Sequence, residues 1–573
     1  MKRTPDSSFQ EPNQSQTFDA SLEQAGNVAC VSFRDGPHLY WDINHTTRLA
    51  FAFLSWSFRG LVCFWLLLTV DSARAHVGDQ NVFFEGQAGP YPVRIVVRPP
   101  GVIPGLAEIS VRVETNGVQH VTLLPIRWNT GRQGAPPPDE AKPVRGETNL
   151  FSGELWFMRD GAQSVEIQVI GRTGIGRVTV PVNAIATRVL AMPHWLGSLL
   201  VVLGALLVLL AVSIAAAAIR ESVVPPGEMA SSKRRWLSRG SAVAAGTAVV
   251  ALLWFGSRWW KAEASDYSNN RLYRPVPTKA TVREQNGRHI LTLQRGANPL
   301  RGQGPLVPEH GKLMHLFLVR EPQMDAFAHL HPTRLDWKTF EVDLPDLPPG
   351  EYHVYADLTY ETGYSDTLTA TVHLSEPATV ATGSARLADP DDAWRLSAPF
   401  SNAPVATKRT TSLSPTLWMD MTAEGPLVEN RDTRLHFKVR DVILRPAMLE
   451  HYMGMAGHLM LRREDGAVFT HLHPSGSFSM AAQKLFELRS DGKAPLKVAS
   501  SKDDPICRLP AFDAYSNAGL EHNDIAFPYA FPKAGDYRLW VQVKVRGEIL
   551  TGVFDVDVAS SRTLPYATAE SRR

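Results

Sequence analysis

The sequence predicts a mainly β protein with three immunoglobulin-like β-sandwich domains, two transmembrane helices and an N-terminal signal or anchor helix. Three observations lead to this prediction. Short alternating apolar and polar runs recur along most of the chain, and 41 Gly and 41 Pro residues are spread between them. Two long uncharged segments interrupt these runs. The last half of the chain repeats itself, which indicates one structural unit written twice.

The N-terminal segments have the features of a leader. Residues 1–47 are polar and are interpreted as a disordered tail or as a start assigned too far upstream. Residues 48–75 combine a basic flank, a short apolar core and the motif Ala73-Arg74-Ala75, as a secretory signal peptide does, and an uncleaved segment would act as an anchor. Cleavage after Ala75 would leave His76 at the mature N-terminus, where its amine and imidazole can chelate copper.

The following region, residues 76–190, is predicted to be a β-sandwich. Residues 93–98 and 109–113 alternate as strands do, and several similar runs follow. The Pro-rich stretch 136–143 is predicted to be a surface loop.

Two uncharged segments, residues 196–219 and 240–257, are predicted to cross a membrane. The segment between them, residues 220–239, is rich in Lys and Arg, and the positive-inside rule assigns it to the cytoplasm. The β domains on either side then face outward. The localisation that follows is the bacterial inner membrane, with the domains in the periplasm.

The remainder is predicted to form two related β-sandwiches, residues 278–376 and 415–560. Residues 377–414 are rich in Ala, Ser, Thr and Pro and are interpreted as a loop-like linker. The second unit carries a polar insertion, residues 482–526, which contains Cys507 and is predicted to be a loop.

Each repeat contains a β-hairpin with three histidines. In the second, Asp465-Gly466 lies at the turn, and counting outward places Met460 opposite His471. The same counting in the first places Phe317 opposite His329. Paired residues and residues two apart share a sheet face, so each hairpin should bring three imidazoles together. The six predicted ligands are His315, His329, His331, His458, His471 and His473.

Further candidate ligands precede the hairpins. Glu309-His310 in the first copy parallels Glu450-His451 in the second, which adds His310 and His451. Met453 and Met455 follow, and their soft thioethers favour Cu(I). Copper is therefore the first candidate metal and zinc the second. The chain has only 3 Cys residues, which argues against a Cys-based zinc site.

The hairpin motif Phe327-Ala328-His329-Leu330-His331-Pro332 and the later run 531–542 resemble bacterial YtkA-like, membrane-anchored outer-surface domains. This resemblance implies immunoglobulin-like sandwiches associated with copper handling. It implies candidate ligands at the six hairpin histidines and carries over no catalytic residue.

The predicted function is a membrane-anchored, periplasmic metal-binding protein for storage, delivery or resistance. An alternative is an interaction or structural module of the cell envelope, with a protein partner and with histidines that merely pack. An enzyme is disfavoured because no nucleophile elbow, zinc-protease helix or phosphate-binding loop occurs. Nucleic acid is excluded as a partner because 59 basic and 57 acidic residues nearly balance and no basic run is sustained.

Overall fold

The computed structural model describes residues 80–225, 227–296, 305–376, 389–400, 409–493 and 523–561. Within these ranges the protein is mainly β, as the sequence predicts, with several antiparallel sheets and two long apolar helices. The predicted tail and leader, together with His76, lie outside the described residues.

The first eight strands surround one apolar core. They are β1 Val82–Ala88, β2 Tyr91–Arg98, β3 Gly105–Val113, β4 Val118–Arg127, β5 Asp139–Pro143, β6 Leu150–Phe157, β7 Gly161–Gly171 and β8 Gly174–Ala184. They pair in the order β1-β2-β3-β6-β5-β4-β7-β8. The prediction of a surface loop at 136–143 is wrong for its second half. Strand β5 forms there because Ala141 is buried between exposed neighbours and contributes to the core.

Two helices follow, α1 (His194–Glu221) and α2 (Ser232–Asp266). Both are long and apolar enough to span a membrane. They lie side by side, since the Ser238 hydroxyl donates to the Ala216 carbonyl oxygen at 2.7 Å. Helix α2 begins inside the segment predicted as a loop, because the Ser231 hydroxyl oxygen accepts a hydrogen bond from the Arg234 N–H and caps it.

The first repeat consists of two sheets that enclose one core. Its strands are β9 Thr278–Gln285, β10 Arg288–Arg295, β11 Leu306–Val307, β12 His315–Glu321, β13 Ala326–Leu330, β14 Thr333–Arg334, β15 Thr339–Asp343, β16 Gly350–Tyr360, β17 Ser365–Leu374 and β18 Ala393–Leu396. One sheet has the order β14-β15-β10-β9. The other has the order β11-β16-β12-β13-β18, with β17 paired to β16.

The second repeat also has two sheets and one core. Its elements are β19 Thr410–Ser414, β20 Leu417–Ala423, β21 Thr433–Asp441, β22 His458–Arg463, β23 Phe469–Leu472, helix α3 Met480–Ser490, β24 Asp524–Tyr529, β25 Gly535–Val545 and β26 Glu548–Val558. The sheets have the orders β19-β20-β21-β24 and β23-β22-β25-β26.

Two segments predicted as loops contain regular structure. The linker 377–414 contributes β18, which pairs with β13 of the first repeat, and β19, which pairs with β20 of the second. The insertion 482–526 begins within α3, where the Ser479 hydroxyl oxygen accepts from the Ala482 N–H and caps the helix. Cys507 lies outside the described residues.

The two histidine-bearing sheets face each other. Leu316 and Leu318 of β12 point into the core of their own repeat, whereas Phe317 and its neighbours on the opposite face contact the second repeat. The rings of Tyr355 and Phe469, one from each repeat, stack with centroids 3.9 Å apart. Strand β12 is therefore buried on both faces, which explains why its sequence is apolar rather than alternating.

Candidate metal centre

The histidine hairpins have the predicted registers. Phe317 pairs with His329 between β12 and β13, and Met460 pairs with His471 between β22 and β23. Phe317 and Met460 both belong to the apolar contact between the repeats. Since paired residues share a sheet face, the histidines of both hairpins lie on the two faces that meet there.

The first triad consists of His315, His329 and His331. One nitrogen from each ring lies within 4.8 Å of one from each of the others, so the triad could hold a metal ion. His315 Nδ1 and His329 Nε2 are 3.1 Å apart. The Nε2 atom of His331 is buried and has no hydrogen-bond partner in the part of the chain that the structure describes. The inner nitrogens of His315 and His329 thus face each other, while the Nε2 atom of His331 has no partner among the described residues.

The outer nitrogen of each ring in the first triad meets an oxygen atom. His315 Nε2 lies 3.2 Å from the Glu309 carbonyl oxygen, His329 Nδ1 lies 2.8 Å from Gln542 Oε1, and His331 Nδ1 lies 2.9 Å from Asp392 Oδ1. Metal-binding histidines are oriented by such outer oxygens, which leave the second ring nitrogen for the metal. In each of these contacts a neutral ring can donate its N–H outward, which leaves its inner nitrogen unprotonated.

The second triad consists of His458, His471 and His473, and one nitrogen from each ring again lies within 4.8 Å of one from each of the others. His458 Nδ1 lies 3.0 Å from His471 Nε2, and His471 Nδ1 lies 3.4 Å from Asp357 Oδ2. The Nε2 atom of His458 is buried and lacks a hydrogen-bond partner among the described residues. The contact between the first two rings thus repeats that of the first triad. The third ring differs, because both ring nitrogens of His473 are without a hydrogen-bond partner among the described residues.

The two triads form one group of side chains. The ring centroids of His315 and His471 are 5.5 Å apart, and those of His329 and His458 are 6.0 Å apart. Within a triad, His315 and His329 are separated by 5.4 Å. The spacing between triads is thus only slightly larger than the spacing within one.

His310 is the seventh member of this histidine cluster. It lies in a tight turn in which Glu309 and Lys312 exchange backbone hydrogen bonds, and its φ of 51° is the left-handed conformation that such a turn requires. Its ring centroid is 4.8 Å from that of His473 and 5.7 Å from that of His458. A third group that could hold a metal therefore combines Glu309, His310 and His473.

Burial keeps these imidazoles neutral. Loss of solvent lowers the pKa of His310 and of His473 to about 3, and it lowers the pKa of His315 below its ordinary value. The pKa values of the other four are well below the ordinary value for the same reason: His329, His331, His458 and His471. The neutral ring is the form that binds metals.

Acidic groups surround the cluster. Both Asp389 and Asp392 lie near His331, and these three residues form a fourth group that could hold a metal. Burial raises the pKa of the Asp392 carboxyl and of the Asp357 carboxyl above their usual range. A cavity of about 160 Å³ beside the second triad is lined by Glu309, Asp357 and His473, among others. Two acidic side chains and an imidazole therefore line this cavity.

Three predicted ligands are not part of the cluster. His451 has an exposed side chain, and Met455 packs in the core of the first eight strands. Met453 is half-buried and occupies the turn position that His310 has in the first repeat: its φ is 49°, and it too lies five residues before the first hairpin histidine. The parallel drawn between His310 and His451 is therefore offset by two residues.

Several outer groups were not predicted from the sequence. Asp389 and Asp392 belong to the segment interpreted as a linker, where the run Asp389-Pro390-Asp391-Asp392 was the available signal. Asp357 and Gln542 occupy matching positions in the repeated strand, so an alignment of the two copies already pairs them. Their polar side chains in otherwise apolar strands were the signal.

Comparisons with known proteins assign no function. A family model described as a domain of unknown function, DUF8832, matches residues 417–560, which is the second repeat. No curated protein matches the chain. Among solved structures, a tetra-tandem repeat in the extending region of a large adhesion protein has 7% identity and a TM-score of 0.15, with 80% of this chain and 71% of that chain covered. Salmonella alpha-2-macroglobulin reacted with methylamine has 10% identity and a TM-score of 0.17, with 86% of this chain and 24% of that chain covered. These TM-scores carry no argument about fold.

Proposed function

We propose that this chain is a membrane-anchored, periplasmic copper-binding protein of the bacterial inner membrane that stores, delivers or detoxifies the metal without catalysing a reaction. The observation that carries the proposal is the convergence of two buried histidine triads. Buried polar atoms are normally hydrogen-bonded, and one that is not costs free energy. The Nε2 atoms of His331 and His458 are such atoms, and a cation bound at each triad would satisfy them.

Copper is the first candidate metal because the donors are imidazoles. Sites with nitrogen ligands bind Cu²⁺ more tightly than Zn²⁺, in keeping with the Irving–Williams order. Met455 is a core residue, so its thioether does not support a preference for Cu(I). Zinc is the second candidate, since three imidazoles and one open position also suit that ion.

The membrane assignment rests on α1 and α2. The apolar stretch of each helix is not buried against the rest of the protein. The basic residues at the start of α2 favour a cytoplasmic location for the turn between the helices. The two sheets around one core in each repeat support the immunoglobulin-like, YtkA-like assignment, which stays part of this proposal.

A second candidate function is a structural or interaction module of the cell envelope. The observation that favours it is that His315 and His329, like His458 and His471, are within hydrogen-bond distance of each other. A hydrogen bond between the two rings of each pair would stabilise that hairpin without a metal.

Copper content distinguishes the two candidates. The full chain is purified from copper-supplemented and copper-poor cells and analysed for metals, alongside a double variant, His329→Ala with His331→Ala. A matched control replaces His120 and His373, exposed histidines outside the cluster, by Ala. We expect the double variant to bind less copper than the parent chain, because the second triad is intact, and the control to retain all of it. Parent protein without copper would favour the structural module, and unchanged copper in the double variant would remove the first hairpin from the ligands.

A further inference from the structure

The two repeats are related residue by residue at the histidine cluster. His315 pairs across the sheet with Asp357, and His458 pairs at the same place with Gln542. Asp357 and Gln542 are in turn paired with Thr367 and Thr551. Asp357 Oδ1 accepts a hydrogen bond from the Thr367 hydroxyl at 2.7 Å, and Gln542 Nε2 donates one to Thr551 Oγ1 at 3.3 Å. In each repeat, therefore, the first histidine of the triad is paired with a polar residue that is hydrogen-bonded to a threonine.

Each of these two polar side chains contacts a histidine of the other repeat. Gln542 of the second repeat orients His329 of the first, at 2.8 Å. Asp357 of the first repeat lies 3.4 Å from His471 of the second. Each triad is therefore held in position by a residue of the other repeat. Neither triad has its complete surroundings until the repeats have docked.

Resting on the proposed function, we propose that the two triads form a single dinuclear centre, with one copper ion in each triad and the two ions close enough to interact directly. The centroid separations support this: 5.5 to 6.0 Å between His315 and His471 and between His329 and His458. Two-metal sites in proteins place their ions about 3.5–4 Å apart. Rings that bind different ions of such a pair can lie nearly as close to each other as rings that bind one ion.

The two halves of the centre differ. His310 and Glu309 lie against the second triad and add a fourth imidazole and a carboxylate to it. At the position that corresponds to His310, the second repeat has Met453, which is half-buried. The outer groups differ as well, because His471 faces the Asp357 carboxyl whereas His329 faces the Gln542 amide. A carboxylate makes an imidazole a stronger donor than an amide does, so the second triad binds the first ion.

The test is a Cu²⁺ titration of the full chain, with Cys30, Cys63 and Cys507 replaced by Ser to remove thiol binding. Bound copper is counted by elemental analysis, and electron paramagnetic resonance reports whether the ions interact. We expect two ions per chain, with an ordinary isolated-ion signal up to one ion and its loss as the second binds. His331→Ala and His473→Ala should each bind one ion and keep the isolated signal, while the exposed control His373→Ala should match the parent chain.

One ion per parent chain, or two ions with undiminished isolated signals, would overturn the dinuclear centre and leave copper binding intact. No bound copper at all would overturn the proposed function as well. The measurement on the parent chain decides these outcomes without the variants, so a variant that fails to fold does not obscure them.

Discussion

Each histidine of the first triad uses one ring nitrogen for an outer oxygen and directs the other toward its neighbours. Among the outer groups, Gln542 is completely buried, so its amide is fixed by packing as well as by its hydrogen bonds to His329 and to Thr551. A glutamine oxygen that accepts from Nδ1 holds the ring in the tautomer whose Nε2 is free of a proton. The orientation of His329 therefore depends on a residue more than 200 positions away.

We predict that Gln542→Ala lowers the affinity for copper by about 10–100-fold, the usual effect of losing an outer partner of a metal ligand. Affinity is measured by competition with a chelator of known strength. The control is Gln294→Ala, an exposed glutamine on β10, which should leave the affinity unchanged. Equal affinities for parent and Gln542→Ala would show that the hydrogen bond to His329 does not orient a ligand.

At the scale of elements, helix α3 is attached to the histidine cluster through its N-terminus. The Glu309 carboxylate accepts hydrogen bonds from the Met480 N–H at 2.8 Å and from the Ala481 N–H at 3.2 Å. The first N–H groups of a helix have no partner within the helix, and a negative charge there also interacts favourably with the helix dipole. Glu309 thus caps a helix of the second repeat from the turn of the first repeat that carries His310.

Replacing this cap should destabilise the protein. We expect Glu309→Ala to lower the free energy of unfolding by about 1–2 kcal/mol, as losing an N-terminal cap commonly does. Glu309→Gln should cost less because the amide oxygen still accepts a hydrogen bond. Chemical denaturation of the metal-free protein measures both. Glu351→Ala, at an exposed position where β16 begins, is the control, and a loss as large in that variant would refute the capping role.

At the scale of the whole molecule, the docking of the repeats has a polar component besides the stacked aromatic rings. Arg462 of the second repeat is 1% exposed. Its guanidinium forms an ion pair with Glu321 and donates to the Tyr355 hydroxyl oxygen at 3.0 Å, and both of these residues belong to the first repeat. This buried arginine links the two sheets, because groups of the first repeat satisfy most of its donors.

We predict that Arg462→Met lowers the free energy of unfolding by about 3–5 kcal/mol, because it leaves the Glu321 carboxylate without its cationic partner in a largely buried place. Arg445→Met, on an exposed turn, should have little effect. Adding Glu321→Leu to Arg462→Met should restore part of the loss, since the unpaired charge is then absent. Thermal unfolding of the three variants measures this, and a double variant no more stable than Arg462→Met would contradict the pairing.

The proposed membrane orientation gives a further prediction at this scale. In a chain whose three native cysteines are replaced by Ser, a cysteine is introduced either by Glu228→Cys, between α1 and α2, or by Lys338→Cys, which is exposed in the first repeat. A thiol reagent that does not cross membranes is applied to spheroplasts. We expect Lys338→Cys to be labelled at once and Glu228→Cys only after the membrane is disrupted. The reverse pattern would place the repeats in the cytoplasm.

The amino-acid sequence by itself determined the mainly β character, the two long apolar helices and the two hairpin registers. These depend on local periodicity and on turn residues such as Asp465-Gly466, which act over a few positions. It also indicated that three histidines of each hairpin share one face of the sheet. It also offered Met455 and His451, which precede His458 by a few residues but whose side chains pack in a core or lie in solvent.

Only the tertiary structure decided that the two triads meet. Sheet pairing fixes what lies beside a residue, but the contact between two sheets depends on shape and on residues far apart in the chain, such as Tyr355 against Phe469. Because of that contact, Asp357 and Gln542 each lie against a histidine of the other repeat. Local patterns therefore specify each hairpin, whereas the packing of the two repeats creates a single buried histidine cluster.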